Sequence, residues 1–224
     1  MAKKLITEKD VLATAKRGEK TLIVDADTIL TPSAIDAASL HHLQIAISKG
    51  VEDSKTQDRV HATSNNTSKP TASLVIALGS DHGGYRLKEM LKQYIGELGY
   101  SVVDVGTNAE EACDYPDFAY AVASLVASGQ ATRGIMIDGV GVASAIVANK
   151  VSGIRAVPCY DEFVARSSRE HNDANVLTLG GRIVGSELAK SLVKVWLGTS
   201  FGGGRHQARV QKIADVEQRY SRRK

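Results

Sequence analysis

From residue 74 onward the sequence alternates short runs of aliphatic residues with amphipathic helical patterns, and this alternation restricts the chain more than any other feature. Strand-like runs fall at 74–78, 101–105, 135–137, 154–159 and 175–179. Between them, Leu87, Met90, Leu91, Tyr94, Ile95 and Leu98 recur three and four positions apart and are closed by Gly99, which is one face of a helix with its stop. A second helix opens at Asp114 with Pro116 in its first turn and carries Phe118, Val122, Leu125 and Val126. A third begins at Ser186 and carries Leu188, Leu192, Val195 and Trp196. Strands separated by helices require crossover connections, so the expected fold class is α/β, a five-stranded parallel sheet covered on both faces.

Residues 134–150 concentrate the chemistry. A buried strand runs into a turn carrying Gly139 and Gly141, and the Ala-, Ile- and Val-rich residues 143–148 then read as a helix. Such a turn aims backbone N–H groups and a helix dipole at one point, where an anion or a developing oxyanion is stabilised. Asp138 ends the strand, where open parallel sheets hold their ligands.

Before residue 74 the texture differs. Thr7 reads as a helix cap with Asp10 three residues on, Ile6 and Val11 form a candidate hydrophobic staple, and Gly18 is a stop. Residues 21–24 read as a strand, Thr31-Pro32 opens a second helix, and residues 44–48 read as another strand. Large apolar side chains are few in this stretch, so it is expected to dock on its own domain, a second copy or another protein. Residues 49–73 are rich in Ser, Thr, Asn and Lys, too polar to offset their ordering entropy, and read as a mobile linker. The expected organisation is an appendage over 1–48, a linker over 49–73 and a catalytic domain over 74–224.

Composition removes several function classes. The net charge of +3 is small and partly lies in the basic C-terminal residues 219–224, a solvated tail and not a nucleic-acid surface. Cys113 and Cys159 lack Cys-x-x-Cys spacing and read as free thiols in a reducing compartment. His41, His42 and His61 read as exposed structural histidines, so no metal is expected. No apolar run reaches membrane-spanning length and the N-terminus lacks a secretory core, so a cytoplasmic location is expected.

Four clusters are expected at strand C-termini or helix N-termini: Asp81-His82-Gly83-Gly84, Asp138-Gly139-Val140-Gly141, His171-Asn172-Asp173, and Arg205 with Arg209 on one helix face. Singly, each reads equally as a turn, a core histidine or a solvated helix. Together they supply imidazoles, a carboxylate base, an N–H-lined turn and a guanidinium fork, an inventory suited to a small phosphorylated carbonyl compound.

With Gly79-Ser-Asp81-His82-Gly-Gly, Asp114-Tyr-Pro116-Asp117, Ala148-Asn149-Lys150, Arg169-Glu-His171-Asn172-Asp173-Ala-Asn175, Gly180-Gly-Arg182 and Gly203-Gly-Arg205-His206 in order, residues 75–220 resemble the type B ribose-5-phosphate isomerases and the galactose-6-phosphate isomerases. The resemblance implies a Rossmann-like αβα sandwich, a homodimer or a tetramer of paired dimers with sites built from both subunits, and aldose–ketose isomerisation without metal or cofactor. It implies that His171 opens the sugar ring with Asp81 nearby and that His82, Arg205 and Arg209 contact phosphate or sugar. It further implies that Asn172 holds hydroxyls and that the turn of Gly139, Gly141, Val142, Ala143 and Ser144 stabilises the enediolate.

This chain departs from the family at the centre. Asp138 stands where the family usually has Cys, Val140 where it has Thr or Ser, and Ser144 where a second branch has a Glu base. Asp138 is therefore the expected base, with helix capping as its alternative role; its ordinary pKa of about 3.9 makes it weak unless burial raises it. The appendage, through Ile6-Thr7-Glu8 and residues 27–34, resembles N-terminal segments of bacterial-microcompartment enzymes, which implies a tether to a shell or cargo partner. Two competing readings remain from the sequence. Gly139-x-Gly141-x-x-Ser144 nearly fits a dinucleotide fingerprint, and the domain reads also as a catalytically impaired sugar-phosphate-binding scaffold.

Overall fold

The computed structural model describes residues 5–48 and 74–221; the expected linker over 49–73 lies outside the described residues. The N-terminal lobe contains β1 (Leu5–Ile6), α1 (Glu8–Lys16), β2 (Thr21–Val24), β3 (Ile29–Leu30), α2 (Pro32–Leu40) and β4 (Gln44–Ile47). The anticipated caps form. Asp10 accepts from the Thr7 backbone N–H at 2.8 Å and the Thr7 hydroxyl lies 2.9 Å away, while the Thr31 hydroxyl accepts from the Ala34 N–H at 3.2 Å. Strand β1 pairs with β3 and β2 with β4, both parallel, around a small core of Ile6, Val11, Val24, Ala34, Ala37, Ala38 and Leu43.

That core is small, and the lobe borrows support from the main domain. Leu5 and Ile29 pack against the cluster built around Phe118 and Val122, and the Ser33 hydroxyl donates to Asp117 Oδ1 at 2.6 Å. Of the docking partners left open by the sequence, the lobe contacts its own domain.

The main domain follows as β5 (Val75–Ser80), α3 (Tyr85–Glu97), β6 (Ser101–Asp104), α4 (Tyr115–Ala127), β7 (Arg133–Asp138), α5 (Val142–Ala148), β8 (Ala156–Pro158), α6 (Glu162–Asn172), β9 (Val176–Gly180), α7 (Ser186–Gly198) and α8 (Arg205–Ser221). The five strands form one parallel sheet in the order β6-β5-β7-β9-β8. Alternate strand residues supply its two faces. Ile76, Leu78, Ile135, Ile137, Leu177 and Leu179 meet α3, α6 and α7; Ala77, Met136 and Val176 meet α4 and α5. The architecture is the αβα sandwich that the sequence pattern requires.

Strand β8 is shorter than expected. It occupies the sheet edge and ends at Pro158, a residue without a backbone donor that sheets tolerate at their borders. Helix α8 has no fully buried residue and is anchored by contact with α6 and by the Glu217 carboxylate, which accepts from the Gly153 N–H at 3.0 Å. Among the described residues no helix is long and apolar enough to cross a membrane.

Candidate active site

Strand order reverses between β5 and β7: one chain direction leads to β6, the other to β9. The carboxyl ends of β5 and β7 thus flank the topological switch point. The Asp81 N–H bonds to the Ile137 carbonyl at 3.2 Å, which brings Asp81 and Asp138 together there. Both side chains are buried, with residue exposures of 6% and 4%.

Asp138 is held by four donors. One oxygen, Oδ1, accepts from the Val140 N–H at 2.7 Å and from the Gly141 N–H; Oδ2 accepts from the Ser144 N–H at 3.0 Å and the Ser144 hydroxyl at 2.5 Å. Burial works to raise this carboxyl, but the hydrogen bonds from Ser144, Gly141 and Val140 outweigh it and leave Asp138 below the ordinary carboxylate range. The turn geometry makes this possible: Gly141 sits at φ +92°, a conformation that L side chains rarely adopt. Neighbouring strands brace the turn. Thr178 Oγ1 donates to the Gly141 carbonyl at 2.6 Å, and the Gly181 N–H donates to the Asp138 carbonyl at 2.7 Å.

Two sequence expectations take a different form here. Asp138 is a weak base unless burial raises its carboxyl, and the hydrogen bonds it accepts lower that carboxyl instead. The turn at 139–144 is also not an empty cradle, because three of its N–H groups already serve Asp138. The same commitment counts against the dinucleotide fingerprint, whose turn has to offer those donors to a pyrophosphate.

Asp81 is arranged differently. Its Oδ1 accepts from the Gly83 and Gly84 N–H groups at 2.9 and 3.1 Å. Its Oδ2 lies 4.0 Å from His82 Nδ1, outside hydrogen-bond reach. Burial is the main influence and raises the Asp81 carboxyl, with the nearby Asp138 charge adding to it, against the bonds from Gly84 and Gly83 and the attraction of His82. The His82 ring is fixed by the Cys113 backbone: Nδ1 lies 3.3 Å from the Cys113 nitrogen and 3.2 Å from its oxygen. Cys113 itself, half-buried with its thiol raised by burial, was read from the sequence only as a free thiol; its place beside His82 depends on a contact across 31 positions.

The structure does not bring the remaining expected residues to this end. Helix α6 runs against the strand direction and ends at Asn172, directly before β9. His171 and Asn172 therefore lie at the amino-terminal edge of the sheet, opposite Asp81 and Asp138. Gly202 is tied to Glu170 at 2.9 Å, which puts the start of α8 at the same edge. The His171 and His206 rings stack with centroids 4.3 Å apart. His206, not among the expected site residues, is held below its ordinary pKa by partial desolvation and then by electrostatic repulsion from neighbouring His171, Arg205 and Arg209. Arg205 and Arg209 are exposed and form no ion pair among the described residues. One chain thus carries two separate clusters: a carboxylate pair with a braced turn, and an imidazole–guanidinium cluster suited to phosphate. Among the described residues no group of three or more His, Cys, Asp or Glu is placed to hold a metal ion.

Residues 76–213 match the family model described as ribose/galactose isomerase. The chain belongs to this family. Its relatives include ribose-5-phosphate isomerase B of Escherichia coli, 50% identical over 144 residues that span 64% of this chain and 97% of that protein. Another is D-erythrulose-4-phosphate isomerase of Pectobacterium atrosepticum, 40% identical over 64% of this chain and 95% of that protein. The structure of ribose-5-phosphate isomerase B from Clostridium thermocellum superposes with a TM-score of 0.65 at 51% identity, covering 66% of this chain and 99% of that one. The Mycoplasma genitalium enzyme with bound ribulose-5-phosphate superposes with a TM-score of 0.62 at 38% identity, covering 64% and 96%. As a member of the ribose/galactose isomerase family the chain is a sugar-phosphate isomerase, and the family match begins after the N-terminal lobe.

Proposed function

We propose that two copies of this chain form a homodimer that interconverts ribose 5-phosphate and ribulose 5-phosphate. The observation that carries the mechanism is the different engagement of two adjacent buried carboxyl groups: only Oδ1 of Asp81 accepts hydrogen bonds, whereas both oxygens of Asp138 do, so burial raises the first and the donors lower the second. Such divergence separates an acid–base group from a permanent anion. In this reading Asp81 Oδ2 removes the proton from C2 of the open-chain aldose. The C–H electron pair forms the C1–C2 double bond, and the carbonyl oxygen becomes an enediolate oxyanion. Return of the proton to C1, with the O2 hydroxyl proton passed to O1, completes the ketose. Asp138 stays ionised and fixes the turn.

The partner subunit completes the pocket. Its imidazole–guanidinium edge faces the Asp81 edge, so that His171 opens the ring, Asn172 binds hydroxyls, and His206, Arg205 and Arg209 hold the phosphate with His82. Exposed Val140, Val142, Ile146, Phe163 and Ile183 around the turn support burial of this end by a second copy. The family names leave pentose, tetrose and hexose phosphates as candidates, and the E. coli relative favours the pentose. The test is a coupled isomerase assay of the purified protein on ribose 5-phosphate, galactose 6-phosphate and erythrulose 4-phosphate. Turnover of ribose 5-phosphate at the highest kcat/KM is expected. Silence on all three leaves a non-catalytic scaffold. On the lobe, exposed Ile23, Leu40 and Ile47 support a further contact surface, consistent with the tether to a microcompartment partner that its sequence resemblance implies. Co-sedimentation of full-length protein with purified shells, lost when Leu40 is replaced by Asp, tests that role.

A further inference from the structure

The lobe does more than rest on the main domain. A cavity of about 640 Å³ lies between them, and His82, Cys113 and Asp114 form part of its inner wall. Its outer wall is α1, which contributes Lys9, Leu12 and Lys16, spaced three and four apart and so on one helix face. Neither lysine forms an ion pair among the described residues. The wall is not purely cationic: the carboxylates of Glu8, Asp114 and Asp117 also border the space, and that of Asp117 is engaged by the Ser33 hydroxyl. The cavity volume is within the range of small-molecule sites. Its inner end is set by His82, which also stands beside Asp81.

From this shared cavity we infer that α1 is the outer wall of the substrate pocket, and that Lys9 and Lys16 bind the anionic end of the substrate alongside His82. The inference rests on the isomerase reading of the Asp81–His82 site. It assigns a role in substrate binding to a segment outside the family match, and it makes the lobe a determinant of which phosphorylated sugars are held well. The two ammonium groups act as point charges on flexible stems. They contribute equally to ground state and transition state, and so act on KM and not on kcat.

The test uses the full-length protein with both lysines replaced, Lys9→Gln with Lys16→Gln, beside a control carrying Lys9→Arg with Lys16→Arg. Both positions are exposed, so folding is not at stake. With ribose 5-phosphate, the Gln pair is expected to raise KM about tenfold while kcat changes by less than about twofold, and the Arg pair to restore KM. A KM within about twofold of the parent in the Gln pair overturns the inference and leaves the isomerase reading intact. If the parent turns over no sugar phosphate, calorimetric titration with inorganic phosphate decides. An affinity about tenfold weaker in the Gln pair sustains the role of α1 although the isomerase reading has failed, and an unchanged affinity removes it.

Discussion

Asp81 and Asp138 stand at the ends of paired strands β5 and β7, yet the first has an oxygen outside hydrogen-bond reach of the protein and the second accepts from four donors. The same low-dielectric pocket therefore produces one carboxyl that is easily protonated and one that resists protonation. The difference between them follows from the turn that encloses Asp138 and from the two glycine N–H groups that hold only one side of Asp81.

Replacing Asp81 by Asn is expected to lower kcat by about 10²–10⁴-fold with little change in substrate affinity. Because the Asp81 carboxyl is raised, the acidic limb of the parent kcat–pH profile lies above the ordinary carboxylate range, and activity falls as pH drops through it. The variant should lose that limb. Retention of both rate and limb would transfer the proton to another group.

Asp138→Asn keeps one accepting oxygen on the turn and is expected to leave kcat within about tenfold of the parent. A fall matching that of Asp81→Asn would make Asp138 the base after all. Asp138→Ala removes every acceptor and should cost about 3 kcal/mol in chemical denaturation, because three N–H groups and a hydroxyl lose their partner. The folded-state pKa of Asp138 lies below its unfolded value, so its contribution is complete above the ordinary carboxylate range. It is lost as pH falls through the lowered folded value. A difference in stability between parent and Asp138→Ala that shrinks under acid is the expected signature.

The proposed homodimer, with each site drawn from both copies, predicts complementation between subunits. Asp81→Asn and His171→Ala homodimers should each be nearly inactive. Unfolded together in equal amounts and refolded, they should regain about a quarter of parental activity, since half of the dimers are mixed and each mixed dimer holds one intact site of two. No recovery in mixtures shown to contain the hybrid would place each site within one chain.

Gly84→Ala should destabilise the fold by about 1–3 kcal/mol, read as a lowered thermal midpoint. A Cβ at this position would strike the Ile137 backbone, with the carbonyl carbon at 2.7 Å. The neighbouring backbone has to yield, and the N–H that holds Asp81 moves with it.

Much of the architecture was legible because the sheet imposes it. The three- and four-residue spacing from Leu87 to Leu98 becomes α3, and each expected strand lies within the sheet. The site was legible only in part. His171 was grouped with strand ends from its nearness to the fifth strand in sequence, yet a helix that precedes a parallel strand ends at the strand's beginning. That rule of direction places His171 and Asn172 at the far edge. Asp138 was identified by position, but its self-capping role depends on where Val140, Gly141 and Ser144 point their donors, and a single line of residues does not reveal that. Strands β1 and β3 have two residues each, too few to show a period. Docking of the lobe through Ser33 and Asp117 joins positions 84 apart, beyond the reach of local pattern.

The loop that follows β7 is organised by a negative charge belonging to the enzyme itself. Its shape is set during folding, so an arriving sugar meets a rigid surface and loses little entropy in ordering it. Compounds that mimic an anion at that spot have to displace an internal rival. An inhibitor that imitates the enediolate therefore gains little from those three N–H groups, which Asp138 already occupies.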